Sequence, residues 1–330
     1  MIDRVNTVSR SIYEGTMSVN AAFEYLSPEK RKKTSPYMLG IYSSVSSAAF
    51  TLLFGGMPRD MIFAFFAAIV TNVSLKFFQK TTGYTFLSAL FGSIVMASLS
   101  RVACLIVPEI SLSSVITGGI IPMVPGLAMT NAVRDTINGD LVSGSSKAIE
   151  ALLQAVQSAS VSCLRYRRQE MDFITSLFES PYFCALFAFP GSILFAMSLK
   201  APKRSLLMSG IGGFVGQFIY VLFCSFTSIY LSVFIATFIA CLLSEISSRI
   251  FKIPSTVVTY PALVPLVPGL MLYNAMLAFS RSEIENGGLE LVSAIIYTGC
   301  MAVAITLSSV IARRFLSPLF KKISSGKANS

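Results

Sequence analysis

Histidine is absent from the 330 residues of this chain. Its absence removes the commonest metal ligand and the usual proton carrier near neutral pH, so carboxylates would have to carry any proton coupling. The sequence also lacks HExxH, and it has no GxSxG with a partner base. We therefore expect neither an enzyme nor a bound metal or other cofactor.

Charge is also scarce, since 13% of the residues are charged, 54% are hydrophobic and the mean hydropathy is +0.70. A soluble domain has about a quarter of its residues charged. The net charge of +10 does not indicate nucleic acid, because Lys and Arg lie mostly in short loops and tails. The first 35 residues are polar and show no apolar core leading to a cleavage site, so no secretory signal is expected.

Six cysteines occur without a CxxC pair, all in or beside apolar segments (Cys104, Cys163, Cys184, Cys224, Cys241, Cys300). This placement favours small lipid-facing or core residues over disulfide or metal roles.

Apolar runs of about 20 residues recur from Tyr37 to the C-terminus and predict an all-α polytopic membrane protein. We place ten spans near 37–55, 61–78, 84–106, 111–134, 146–164, 181–199, 205–224, 228–248, 255–279 and 290–312. The chain then divides into a cytosolic helical segment (1–35), a first five-helix repeat (36–168), a second (169–316) and a cytosolic tail (317–330).

Positive charge predicts the orientation. With the N-terminus inside, 20 of the 26 Lys and Arg residues fall on the inner side and 5 in outer loops, while Arg101 lies within a span. This bias predicts that both termini are cytoplasmic and that the spans are even in number. The predicted orientation has one weak point, because an outer loop contains three positively charged residues, Arg165, Arg167 and Arg168.

A similar phrase occurs twice, as PMVPGLAMTNA (Pro122–Ala132) and PLVPGLMLYNA (Pro265–Ala275), and seven of its eleven positions are identical. The copies are 143 residues apart, in the fourth and ninth spans. Repeats of five spans each would be inserted in opposite orientations. Paired interruptions in corresponding spans of inverted repeats indicate the substrate site of a secondary transporter.

Proline removes an N–H and clashes with the carbonyl four residues earlier. Pro265 and Pro268 would thus free the carbonyls of Pro261 and Val264, and a new half-helix would begin at Gly269 with open N–H groups suited to a carboxylate. The predicted substrate-binding residues are Pro122, Pro125, Gly126, Asn131, Pro265, Pro268, Gly269 and Asn274. The alternative is a pair of Pro-kinked helices that simply pack together.

Charged residues near the spans are candidates for proton coupling or gating. Arg101 and Glu245 occupy corresponding late positions in the third and eighth spans, where an ion pair, a wet cavity or snorkelling is expected. Glu150 in the fifth span is the first candidate for a proton-carrying carboxylate. Arg134, Asp135 and Asp140 flank the inner end of the fourth span as gate residues or a solvated mouth. Four glycines of the seventh span predict close helix packing (Gly210, Gly212, Gly213, Gly216).

Three stretches resemble the threonine/serine exporter family: Gly118–Ala155 with its PG–N–RD–GD–SG pattern, FGGMPRD at Phe54–Asp60, and VPLVPGLMLYNAM in the second half. The resemblance covers nearly the whole chain. It implies a ten-span inner-membrane exporter of small hydroxy amino acids driven by the proton motive force. Relatives with the halves on separate chains are associated with dicarboxylate export. Family members usually carry a longer cytosolic region before the part that matches Asp3–Leu26.

The predicted function is therefore export of threonine or serine, with protons as the coupling ion and the lipid bilayer as surroundings. A dicarboxylate exporter is the nearest alternative and a passive channel the next. No nucleic-acid partner is expected, and homo-oligomerisation stays open.

Overall fold

The computed structural model describes residues 2–13, 15–26, 35–83, 85–120, 135, 139–140, 143–145, 180–280 and 282–316. Throughout these ranges the regular structure is helical, and no strand occurs in them.

Two short helices precede the membrane region, α1 (Ile2–Tyr13) and α2 (Val19–Leu26). The Ser18 hydroxyl accepts a hydrogen bond from the Ala21 N–H at 3.3 Å. Ser18 therefore caps the N-terminus of α2. Val8 and Ala22 are buried, one on each helix.

Four apolar helices follow: α3 (Pro36–Leu53), α4 (Pro58–Thr82), α5 (Thr85–Ile106) and α6 (Leu112–Ile120). The first three pack in sequence, and α6 packs against all of them. Gly118 makes this possible, because a Cβ added there would lie 2.5 Å from the backbone nitrogen of Thr51. The small residue lets α6 approach the backbone of α3 directly.

The second half contains α7 (Pro181–Ala185), α8 (Ala188–Ser198), α9 (Lys203–Cys224), α10 (Ile229–Phe251), α11 (Ser255–Leu263), α12 (Gly269–Ser280) and α13 (Ile284–Ile311). A 3₁₀ turn, Val264–Leu266, follows α11, and a π turn, Ala312–Leu316, follows α13. The predicted sixth span is interrupted by a turn at 186–187, which separates α7 from α8.

Five described helical stretches are long and apolar enough to cross a membrane: Pro58–Thr81, Pro181–Ser198, Lys203–Cys224, Ile229–Phe251 and Ile284–Arg314. Shorter apolar helices cover Tyr37–Leu53, Phe91–Ile106 and Ser255–Leu266. These observations confirm a polytopic helical membrane protein. The total of ten spans stays a prediction, because the fifth (146–164) and most of the fourth lie outside the described residues.

Helix starts recur at the spacing of the repeated phrase. Pro181 of α7 follows Pro36 of α3 by 145 residues, and Lys203 of α9 follows Pro58 of α4 by the same interval. The starts of α5 and α10 differ by 144 residues, and those of α6 and α11 by 143. Moreover, α11 packs on α8, α9 and α10 as α6 packs on α3, α4 and α5. The halves therefore share helix spacing and neighbours.

The two halves meet where α3 packs on α8. The Ser46 hydroxyl donates to the Gly191 carbonyl at 3.1 Å, and a Cβ added to Gly191 would lie 3.0 Å from the Phe50 ring. Phe50 also belongs to a buried cluster that reaches Val264 on the 3₁₀ turn. The first half thus contacts the interrupted segment of the second half.

The glycines of α9 confirm the predicted close packing. A Cβ at Gly212 would lie 2.9 Å from the Ala262 Cβ, and one at Gly216 would lie 3.2 Å from Leu266 Cδ1. A Cβ at Gly213 would lie 2.1 Å from the Ser192 hydroxyl oxygen. Because these glycines have no side chain, α9 reaches α8 on one side and the interrupted segment on the other.

Candidate functional site

The ninth predicted span is broken at its proline pair. Helix α11 ends at Leu263, the 3₁₀ turn covers Val264–Leu266, and Val267 is extended with φ −63° and ψ 133°. Helix α12 then begins at Gly269. The break and the position of the new half-helix were both predicted from Pro265, Pro268 and Gly269, and both are confirmed.

Hydrogen bonding at the break differs in part from the prediction. The Val264 carbonyl, expected to be freed by Pro268, accepts the Val267 N–H at 3.3 Å. The Gly269 N–H, expected to be open, donates to the Val267 carbonyl at 2.8 Å. The loss of the regular helical partners was predicted, whereas these local partners were not: the chain tightens into a turn of shorter period, which satisfies both groups. In hydrocarbon such local pairing is strongly favoured.

The break lies inside the protein. Leu266 is 2% exposed, and Pro265, Pro268 and Gly269 are buried. Leu263 and Leu266 belong to a cluster with residues of α10 and α13, while Val264 packs beside Phe50 of the first half. Non-helical backbone at membrane depth is tolerated where protein surrounds it. Asn274, one turn further along α12, is half-buried.

The first motif and several other candidates lie outside the described residues, namely Pro122, Pro125, Gly126, Asn131, Arg134 and Glu150. Helix α6 is described as far as Ile120, two residues before Pro122.

Glu245 has an ion-pair partner on its own helix. Its Oε2 lies 3.8 Å from Arg249 Nη2, and the two side chains are 16% and 19% exposed. The same Arg249 nitrogen donates to the Ala312 carbonyl at 3.0 Å, which joins the end of α10 to the turn after α13. The expectation of an ion pair for Glu245 is confirmed.

A small polar pocket adjoins the Glu245 side chain. It holds about 20 Å³ and lies between the end of α10, the start of α11 and the end of α13. Hydroxyl side chains of the latter two helices line most of it: Ser255, Thr256, Thr259, Ser308 and Ser309. Glu245 therefore borders a small pocket in addition to its ion pair.

Arg101 occupies the corresponding position on α5 and is half-buried. It makes no ion pair with another residue of the described ranges. A neighbouring groove of about 210 Å³ lies between α4, α5 and α6. It is lined mostly by apolar side chains, among them Phe66, Val70 and Val102. Arg101 and Glu245 therefore occupy corresponding positions in the two halves, but their charges and surroundings differ.

Asp135 and Asp140 form one local turn. The Asp140 carboxylate accepts the Ser143 N–H at 3.1 Å, and the Asp135 carboxylate accepts the Ser143 hydroxyl at 3.0 Å. Asp140 is exposed, and its carboxylate caps the short helical stretch 143–145. Whether Asp135 and Asp140 are gate residues or part of a solvated mouth stays a prediction, because most of the fourth span and Arg134 lie outside the described residues.

Asp60 was not singled out from the sequence, although it is only 1% exposed. Its carboxylate accepts the N–H of Met57 at 2.9 Å and that of Ser111 at 3.0 Å. It therefore holds together the starts of α4 and α6. Arg59 and Glu109 form an exposed ion pair beside it. The MPRD string offered a signal, since an acidic residue three positions after the cap typically closes a helix N-terminus.

Several buried polar groups of the second half also escaped the sequence analysis. Tyr220 of α9 hydrogen-bonds Tyr297 of α13, with ring centroids 6.3 Å apart, in the cluster that contains Leu263 and Leu266. Ser192 Oγ, Gln217 Oε1 and Thr237 Oγ1 are buried without a hydrogen-bond partner among the described residues. Single polar residues in apolar helices give no sequence signal of what they face.

Within the same ranges, no group of three His, Cys, Asp or Glu side chains could hold a metal ion. The five described cysteines form no disulfide with one another.

Comparison with known proteins gives a consistent result. A family model described as a threonine/serine exporter matches residues 1–167, and a second, described as threonine/serine exporter ThrE, matches residues 184–311. The chain is 24% identical over 333 residues to the threonine/serine exporter of Corynebacterium glutamicum, across 96% of this chain and 68% of that protein. No solved structure matches the chain.

Proposed function

Because the chain belongs to the threonine/serine exporter family, we propose that it exports threonine, serine or a closely similar amino acid across the cytoplasmic membrane, with proton antiport as the driving reaction. The observation that carries the proposal is the buried break between α11 and α12, which begins a half-helix at Gly269.

The partial positive charge of the half-helix that begins at the break favours binding of an amino-acid substrate. A helix N-terminus carries partial positive charge, and its first N–H groups have no acceptor within the helix. The Gly269 N–H is already used, so the next amides of α12 are the ones that would meet the substrate carboxylate. Asn274 would lie near the hydroxyl group of the substrate. By the repeated sequence, Pro122, Pro125, Gly126 and Asn131 would form a second half of the site.

Alternating access would follow from two inverted repeats. The equal spacing of helix starts and the matching packing of α6 and α11 support a repeat of about 144 residues. Two repeats inserted in opposite orientations would hold their broken helices near the membrane centre from opposite sides. Rocking of one repeat against the other would expose the site to each side in turn.

Charged residues would link proton movement to this rocking. Glu245 contacts a polar pocket and an arginine that bridges to another helix, so changing its charge would alter helix contacts at that end. Glu150, in the fifth predicted span, stays the other candidate for proton transfer. Arg101, Arg134, Asp135 and Asp140 are proposed gate residues. Both termini would then be cytoplasmic.

The proposal is tested by uptake of labelled threonine, serine and succinate into inside-out vesicles with an imposed pH gradient. Accumulation of threonine or serine that collapses with the gradient is the expected result. Accumulation of succinate alone would replace the amino acid by a dicarboxylate substrate. Ion currents at rates above those of any alternating mechanism would instead indicate a channel.

A further inference from the structure

The pocket beside Glu245 has a lining that is unusual in its hydrogen-bonding capacity. Thr259 donates its hydroxyl proton to the Ser255 carbonyl at 2.9 Å, Ser308 donates to Ile305 at 2.8 Å, and Ser309 donates to Thr306 at 2.8 Å. A hydroxyl that has donated its proton keeps its lone pairs for other partners. These three side chains therefore offer acceptor oxygens only.

Glu245 adds the one carboxylate of the pocket lining. Its contact with Arg249 is 3.8 Å, which is too long for a hydrogen bond, and no other described residue hydrogen-bonds the carboxylate. An ionised carboxylate that is largely buried needs a closer partner than this. The pocket thus combines one negative charge with several lone pairs, and this combination favours a cation or a strong hydrogen-bond donor.

The size of the pocket limits which ligands it can hold. A volume of about 20 Å³ admits a single water-sized species, because one water needs about 10–15 Å³ on this measure. A whole amino acid does not fit. Hard monovalent cations prefer oxygen ligands, and a site with only one carboxylate is poor in charge for a divalent ion.

Arg249 affects how tightly such a site would bind a cation. Its guanidinium is not part of the pocket lining and donates to the Ala312 carbonyl, while its buried Nε has no hydrogen-bond partner among the described residues. A neighbouring positive charge weakens cation binding. The other pocket-lining residues, on α11 and α13 and at Cys241, carry no formal charge.

We propose that this pocket binds a water-sized monovalent cation, sodium or hydronium, between Glu245 and the hydroxyl oxygens of Thr259, Ser308 and Ser309. Its place as the coupling-ion site rests on the proposed export function, whereas binding itself does not. Because the ion would touch α10, α11 and α13 together, its arrival and departure would change contacts at the start of the broken span.

Thermal unfolding of the purified full chain in detergent tests sodium binding. At constant ionic strength, sodium replacing N-methyl-D-glucamine is expected to raise the unfolding temperature by about 2–4 °C at ten times its dissociation constant. The rise should vanish in Glu245→Gln and shrink in Ser308→Ala. Glu285→Gln, on an exposed residue of α13, and Ser209→Ala, on a buried serine that also donates to its own helix, should keep it.

Hydronium is tested in sodium-free buffer by following the wild-type protein and Glu245→Gln from pH 8 to pH 5. If hydronium is the ligand, the wild-type protein gains stability relative to the variant as the pH falls. A loss of relative stability, in a protein that also shows no sodium effect, would indicate only an ion pair with Arg249 and would overturn the proposal. So would the lack of any sodium effect together with a constant difference across pH. Either result would leave threonine uptake by vesicles, and hence the export function, untouched.

Discussion

Glycine residues set how closely α9 approaches its neighbours. At Gly213 a Cβ would lie 2.1 Å from the Ser192 hydroxyl and 3.3 Å from the Ala188 carbonyl, a distance that no small adjustment of one rotamer removes. The same helix carries Gly212 and Gly216 against the broken segment. Packing at single residues therefore determines where the break lies in the molecule.

We expect Gly213→Ala to destabilise the protein by about 1–3 kcal/mol, because the added methyl group must push α8 and α9 apart. Gly299→Ala on α13 is the matched control, since nothing lies within 4 Å of its added Cβ. That change should be neutral or stabilising by up to about 1 kcal/mol. Unfolding of both variants in detergent makes the comparison, and equal loss in both would contradict the packing account.

Asp60 gives a second prediction at this scale. Its two carboxylate oxygens accept two backbone N–H groups on different segments, and an asparagine could accept only one of them. Asp60→Asn should therefore cost about 1–2 kcal/mol of stability, as loss of a helix cap does. Arg59→Gln, which removes only an exposed ion pair, should cost less than about 1 kcal/mol. If the two variants are equally stable by thermal unfolding, the buried carboxylate is not a structural link.

At the scale of elements, the break between α11 and α12 was predictable from two prolines and a glycine, because proline removes a helix hydrogen bond whatever surrounds it. The way the turn satisfies the Val264 carbonyl and the Gly269 N–H was not. The same residues could form a 3₁₀ turn or continue with α-helical hydrogen bonds. Packing around Leu266 decides between these two conformations.

Contacts between distant elements escaped prediction for a different reason. The Arg249–Ala312 hydrogen bond joins residues 63 positions apart, and Tyr220 reaches Tyr297 across two helices. Periodicity shows which face of a helix is apolar, but it does not show which helix that face meets. The Glu245 pocket lies between three helices, so the sequence pattern of any single helix does not predict it.

Replacing Pro265 and Pro268 together by alanine should let α11 and α12 join into one helix. Because the break would then be lost, uptake by inside-out vesicles should fall by about tenfold or more, a change worth ~1.4 kcal/mol in the barrier. Pro261→Ala is the control, since Pro261 is buried within α11 and lies before the break. Membrane expression of both variants should stay near that of the wild-type protein. A parallel fall in expression and uptake would assign the prolines to folding.

At the scale of the whole molecule, the order and spacing of helices repeat, and the sides on which segments meet agree with alternating spans. Asp60 and Ser111 meet at one end, and Arg249 and Ala312 meet at the ends of two other helices. This is the arrangement expected if α4 and α6 start on one side of the membrane, and if α10 and α13 end on a common side. The inverted relation of the halves is a proposal that depends on spans four and five.

The central claim is that the break is a substrate site that faces water in turn from each side. Labelling of Val267→Cys, in a chain whose native cysteines are replaced, tests it with a membrane-impermeant thiol reagent. Val267 is half-buried at the break, whereas Met301→Cys supplies a fully buried control in the neighbouring core. We predict labelling of Val267→Cys from both sides of the membrane, slowed by threonine, and none of Met301→Cys. Absence of labelling at Val267, or labelling that threonine does not change, would contradict the account.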